Sequence, residues 1–212
     1  MSTGAGEHKK KGRLEAFSDG VFAIAITLLV LEITVPAVSG DRLLGELLHE
    51  WPIYLGYFVA FMAIGAVWME HSELVDALDH VDAVFLRLNL LLLLFVAFLP
   101  FPARLMAEYS GDMAGERVAV VFFGVVLFMQ SLLLRVLALH ADRHGLFGAD
   151  VEEQRDEESR LRYQLTPSLV FYAIATALGL VAPRLGVVLY FLIALYLAIP
   201  LRQARRMLRR TS

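Results

Sequence analysis

Apolar residues in this chain come in long, nearly unbroken blocks separated by short polar connections. A helix of about 20 mostly apolar residues spans the ~30 Å hydrocarbon core of a bilayer. Six stretches approach that length: Leu14–Val35, Trp51–Met69, Val84–Ala103, Val118–Leu139, Thr166–Ala182 and Leu185–Leu201. A tight turn at Pro183-Arg184 separates the last two. None alternates apolar and polar positions as a membrane β-barrel strand must. The pattern predicts an all-α membrane protein with six transmembrane helices. The longest connection runs from His140 to Leu165 and holds the charged run 152–158, which reads as a solvated helix or loop.

Composition agrees. Residues AVILMFWYC make up 58% of the chain and DEKR 19%, against about 45–50% and about 25% in soluble domains. With a mean hydropathy of +0.63, too little polar surface remains to cover a globule in water. Cysteine is absent, which excludes disulfides, thiolate metal sites and a cysteine nucleophile. A formal net charge of −3 excludes a nucleic-acid binder that works by overall positive potential.

The basic residues are unevenly placed. Lys9, Lys10, Lys11 and Arg13 precede the first span, and Arg202, Arg205, Arg206, Arg209 and Arg210 follow the last. Arg143, Arg155, Arg160 and Arg162 lie in the connection on the same side, whereas the other side has Arg42, Arg104, Arg117 and Arg184. Cytoplasmic loops carry the excess of Lys and Arg, so both termini are expected in the cytoplasm. The expected organisation is a tail over residues 1–12, a six-helix membrane domain over 13–202 and a basic tail over 203–212. Lys9–Arg13, the apolar run from Val21 to Leu31 and Ala37-Val38-Ser39 also have the outline of a secretory signal peptide. The polar Ser18-Asp19-Gly20 before that run and Glu32 at its end argue against cleavage.

Ionisable residues inside a span mark function by default, and the first span holds Asp19 and Glu32, with Arg13 where it begins. At about 100° per residue, Phe17, Gly20, Thr27, Leu28 and Leu31 fall within about 60° of Ile24, while Ser18 and Asp19 fall about 120° and 140° away. The helix therefore has an apolar face centred on Ile24 and a polar pair on the other side. Asp19 reads either as a packing acid bonded to another helix or as a proton or cation site, with Arg13, Trp68 and His71 as candidate partners. Glu32, near the outer end, reads either as an interfacial residue or as one that concentrates cations at a mouth. Glu70, Glu73, Asp76, Asp79 and Asp82 read as an acidic, solvated connection.

The stretch Arg13-Leu14-Glu15-Ala16-Phe17-Ser18-Asp19-Gly20 resembles the R-x-x-x-F-S-D signature that opens the first helix of the transmembrane protein 175 family, whose members are potassium-permeable channels of lysosomes and bacteria. The resemblance continues through Ala23-Ile24 and Thr27-Leu28-Leu29, through Trp68-Met69-Glu70-His71, and through Asn89 with Leu99-Pro100-Phe101. It implies an oligomeric bundle, a homotetramer in the bacterial members, with a central pore lined by the first helices. By the same resemblance Ile24 forms a hydrophobic gate, Thr27 bears on ion preference, and Leu28 and Leu31 continue the pore lining. Arg13, Ser18, Asp19, Trp68 and His71 match a structural hydrogen-bonded network. Further implications are potassium and other monovalent cations as permeant ions, no cofactor, no nucleic acid, and a bacterial plasma membrane as the location.

A potassium-channel carbonyl filter of the T-V-G-Y-G kind is absent, so selectivity would fall to hydroxyls such as that of Thr27. The sequence contains neither a nucleophile elbow nor H-E-x-x-H, which argues against an enzyme. His140, Asp142 and His144 have the spacing of a surface zinc site but lack an obvious further ligand. The main rival function is a proton-coupled secondary transporter using Asp19 and His71, although no inverted repeat is visible.

Overall fold

The computed structural model describes residues 3–37, 40–148 and 167–198, with side chains over 10–37, 40–148 and 168–197. The run 152–158 and the basic tail lie outside these residues. All named elements are helical: α1 (Thr3–Leu28), continued by a 3-10 turn (Leu29–Glu32), α2 (Leu43–His49), α3 (Trp51–Asp76), α4 (Ala83–Phe98), α5 (Pro100–Glu108), α6 (Met113–Arg143), α7 (Pro167–Gly179) and α8 (Pro183–Ala198).

Among the described residues, four stretches are long and apolar enough to cross a membrane: Lys10–Glu32, Trp51–Asp76, Ala83–Glu108 and Met113–Arg143. The last two outrun the expected Val84–Ala103 and Val118–Leu139. Within the described residues the fifth and sixth helices cover 13 and 16 residues. Pro183 and Arg184 do not form the turn between them. They open α8, because proline suits the first helical position, where an N–H has no intrahelical partner anyway. The turn is Leu180–Ala182, closed by the Ala182 N–H on the Leu178 carbonyl at 2.8 Å.

The third span is broken in the middle. Pro100 has no N–H to continue the helix, and the Leu99 N–H turns to the Val96 carbonyl at 3.2 Å. Gln130 of α6 donates to the Phe95 carbonyl at 2.9 Å, satisfying a backbone acceptor beside the break. At one end of the bundle, Asp112 caps α6 by accepting from the Gly115 N–H at 3.3 Å. At the other end, Gly145 with φ +61° stops α6, and the Leu146 N–H returns to the Ala141 carbonyl at 3.0 Å, the six-to-one bond of a glycine-terminated helix.

Packing follows from small residues. α6 lies along α7, α8 along both α3 and α7, and α4 between α1 and α6. Where α6, α7 and α8 meet, Gly124 makes room for the fully buried Tyr190. The Tyr190 hydroxyl donates to the Val120 carbonyl and lies equally far, 3.2 Å, from Thr176 Oγ1.

Candidate functional site on the first helix

Leu14, Ser18, Phe22, Ala25 and Leu29 face the bundle, each with 5% exposure or less. Their spacing of three and four residues is that of one helical face. The face expected to be special points elsewhere. Ile24 is 60% exposed, Leu31 72%, Phe17 55% and Leu28 43%. Thr27 is exposed too, and its hydroxyl bonds back to the Ala23 and Ile24 carbonyls at 2.9 Å each. Within a single chain, then, Ile24, Thr27, Leu28 and Leu31 form an uncovered strip turned away from the core.

Ser18 and Asp19 do not share a side. Adjacent helical residues diverge by about 100°, so Ser18 turns into the bundle and Asp19 stays exposed. Asp19 accepts from the Trp68 indole N–H of α3 at 2.9 Å. Ser18 accepts from the Asn89 amide of α4 at 2.9 Å, and the Asn89 carbonyl oxygen lies 2.7 Å from His71 Nε2. With the amide nitrogen donating to Ser18, that oxygen can only accept, so Nε2 carries the proton. The chain Ser18–Asn89–His71 is fully buried and ties α1, α3 and α4 together. Sequence reasoning named Asn89 as part of a motif but missed it as the bridge. Arg13 is exposed and joins neither set among the described residues. Asp19 and His71 sit in separate hydrogen-bonded pairs rather than in one relay.

Two further contacts fix the ends of α1. Lys11 Nζ donates to the Asp76 and Leu78 carbonyls at 3.1 and 2.5 Å, placing a cation where the carbonyl end of α3 is partly negative. At the far end Arg104 pairs with Glu32 at 3.5 Å, so Glu32 is not a free mouth charge.

The histidine pair at the end of α6 serves the connection beside Lys11. His140 Nε2 lies 2.8 Å from Asp82 Oδ2, and the His144 ring stacks on His140 at 4.1 Å. Asp82 in turn caps α4, accepting from the Phe85 N–H at 2.7 Å. Burial works against its negative charge, but the Phe85 amide and His140 outweigh it and hold the carboxyl below the usual carboxylate range. His140 therefore braces a helix start, and among the described residues it forms no metal-binding group with Asp142 and His144. Glu70 is misplaced by the sequence reading as well: it lies within α3, not in a solvated connection.

Long apolar helices, a buried polar tie between three of them and an uncovered apolar strip on the first define a multi-pass helical membrane protein. The family described as the endosomal/lysosomal potassium channel TMEM175 matches residues 13–100. A potassium channel of Streptomyces collinus is 36% identical, covering 92% of this chain and 97% of its own. A potassium channel of Chryseobacterium sp. is 30% identical over 94% of this chain and 98% of its own. The crystal structure of a lysosomal potassium-selective channel TMEM175 homolog from Chamaesiphon minutus superposes with a TM-score of 0.75 at 36% identity, covering 90% of this chain and 97% of that one. The chain belongs to the TMEM175 family.

Proposed function

We propose that the chain is the subunit of a potassium-permeable cation channel, not an enzyme. Several copies, four by resemblance to the bacterial members, place their first helices around one axis, and closed symmetry completes the ring. Six helices of each subunit lie in the bacterial plasma membrane, both termini in the cytoplasm, with α7 and α8 seated against α6 and α3. Ile24 forms the constriction, and Thr27, Leu28 and Leu31 line the path outward from it. Ser18, Asp19, Trp68 and His71 hold the first helix at its angle, and Arg13 acts from the exposed side.

The observation that carries this reading is the 60% exposure of Ile24 on a strip whose opposite side is fully engaged with the core. Lipid alone would accept such a strip. Its neighbours Ala16, Gly20 and Ala23, also exposed, permit the close approach of another helix. A narrow apolar ring excludes water and so blocks ions without a charged plug. It binds no ion tightly, and discrimination falls to the Thr27 hydroxyl and nearby carbonyls.

Purified protein in liposomes should pass potassium down its gradient without a coupled ion. Ile24→Asn, which wets the ring, should raise that flux about tenfold, equivalent to removing ~1.4 kcal/mol from the barrier. Saturating, proton-coupled flux unaffected by Ile24→Asn would support the transporter reading instead.

A further inference from the structure

The helix α2, between α1 and α3, has its apolar side turned the wrong way for contact with water. It packs against α3, yet the side it turns to the protein is acidic. Glu46 is half-buried, and one carboxylate oxygen of Glu50, the residue joining α2 to α3, is enclosed by protein. The leucines point outward: Leu44 and Leu48 are each 69% exposed, and Leu43 and Leu47 are exposed too. At about 100° per residue, Leu47 and Leu48 fall within about 60° of Leu44, and Glu46 falls about 160° from it. A helix on a water-facing surface does the reverse, burying its apolar stripe.

The adjoining residues identify what covers that side. Glu50 alone separates α2 from α3, and α3 is long and apolar enough to cross a membrane. Its first residue, Trp51, is 61% exposed, and tryptophan favours the level of the lipid headgroups. The end of α2 is thus held within one residue of the bilayer surface. Seven residues make a helix about 10 Å long. Running straight on from α3, it would pass through a headgroup layer of roughly 5–7 Å and hold its leucines in water. Glu50, with φ −78° and ψ 13°, departs from helical geometry and breaks that continuation.

We propose that α2 lies in the plane of the membrane surface, with Leu44, Leu47, Leu48 and Trp51 immersed where headgroups meet acyl chains. Its partner is the lipid bilayer, into which in-plane amphipathic helices sink an apolar face by about 5–10 Å. Gly45 and His49, about 100° and 140° from Leu44, stay toward water. Because residues 33–42 join α2 to the end of α1, the helix tethers the far end of the first helix at the membrane surface. A second copy of the chain is not the cover, since the strip proposed to meet other copies is on α1, whereas α2 rests on α3. The inference needs only a membrane-spanning chain, so it stands or falls independently of Ile24 and the pore.

Spin labels read this directly, because the chain has no cysteine of its own. The full-length protein, labelled singly at Leu44→Cys, Gly45→Cys, Leu48→Cys or His49→Cys, is placed in phosphatidylcholine–phosphatidylglycerol liposomes. Collisions with oxygen, which concentrates in lipid, are compared with collisions with a water-soluble nickel chelate. The oxygen-to-nickel ratio should be several-fold higher at positions 44 and 48 than at 45 and 49. Equal ratios at all four positions would overturn the inference by placing α2 in water. Labels at 44 and 48 shielded from both reagents and broadened by a neighbouring label would overturn it by seating a second copy there. Should a labelled variant fail to fold, an environment-sensitive fluorophore on Leu47→Cys serves. Its emission should shift to the blue in liposomes, and emission as in water would contradict the inference.

Discussion

Replacing Asn89 with leucine should destabilise the protein by about 1–3 kcal/mol, the lower figure from two interhelical bonds at ~0.6 each in a membrane setting, the upper from leaving buried polar groups unsatisfied. The volume is nearly kept, so the loss isolates the hydrogen bonds. Ser18 and His71 would both remain, at 0% and 2% exposure, without the amide that now serves each of them. Since that amide links α1 to α3 through α4, the first helix should also lose its fixed angle, and liposome flux should become variable between preparations. Thermal unfolding in detergent measures the first effect. Wild-type stability in Asn89→Leu would mean that apolar packing alone holds the first helix.

Gly124→Ala should be as damaging, by about 1–3 kcal/mol through overpacking. A Cβ at this position would overlap Tyr190 Oη and Thr176 Oγ1. The Tyr190 hydroxyl is the far end of a side chain, but the ring is fully buried and cannot swing aside. The double variant Gly124→Ala with Tyr190→Phe should recover part of the loss, because it removes one of the overlapping atoms. A double variant as unstable as the sum of the two single changes would show that the collision lies elsewhere. Because α6 meets α7 and α8 at this seam, these helices should be the first to separate.

The membrane class and the long spans were legible because twenty apolar residues in a row have few other uses. The ends were less so. Residues such as Met113, Glu116 and Arg143 extend α6 past its apolar block, since helix termini are set by the Asp112 cap and the Gly145 stop rather than by hydropathy. The helix α2 went unseen because seven residues are too few to show a period. The apolar face around Ile24 was readable from angle alone, and those residues share an exposed strip. Ser18 and Asp19 were read together as a polar pair, yet the one-residue offset that separates them in sequence sends them to different helices.

Asn89 gave no signal by itself, since a lone amide in a leucine-rich run reveals its partners only when the helices are docked. Glu70 was a different failure. Grouping it with Glu73, Asp76, Asp79 and Asp82 by charge hid its phase, although its spacing from Val67 and Leu74 was already in the sequence. The Asp82–His140 contact joins residues 58 apart in the chain, beyond the reach of local pattern.

Cysteine accessibility at position 24 tests the central claim most directly, because the chain has no cysteine of its own to react. In liposomes, silver ions added to Ile24→Cys protein should abolish potassium flux, while Leu91→Cys, on an exposed stretch of α4, should conduct as before. Full flux through silver-treated Ile24→Cys protein, with the thiol shown to have reacted, would put this residue outside the ion path and contradict the account.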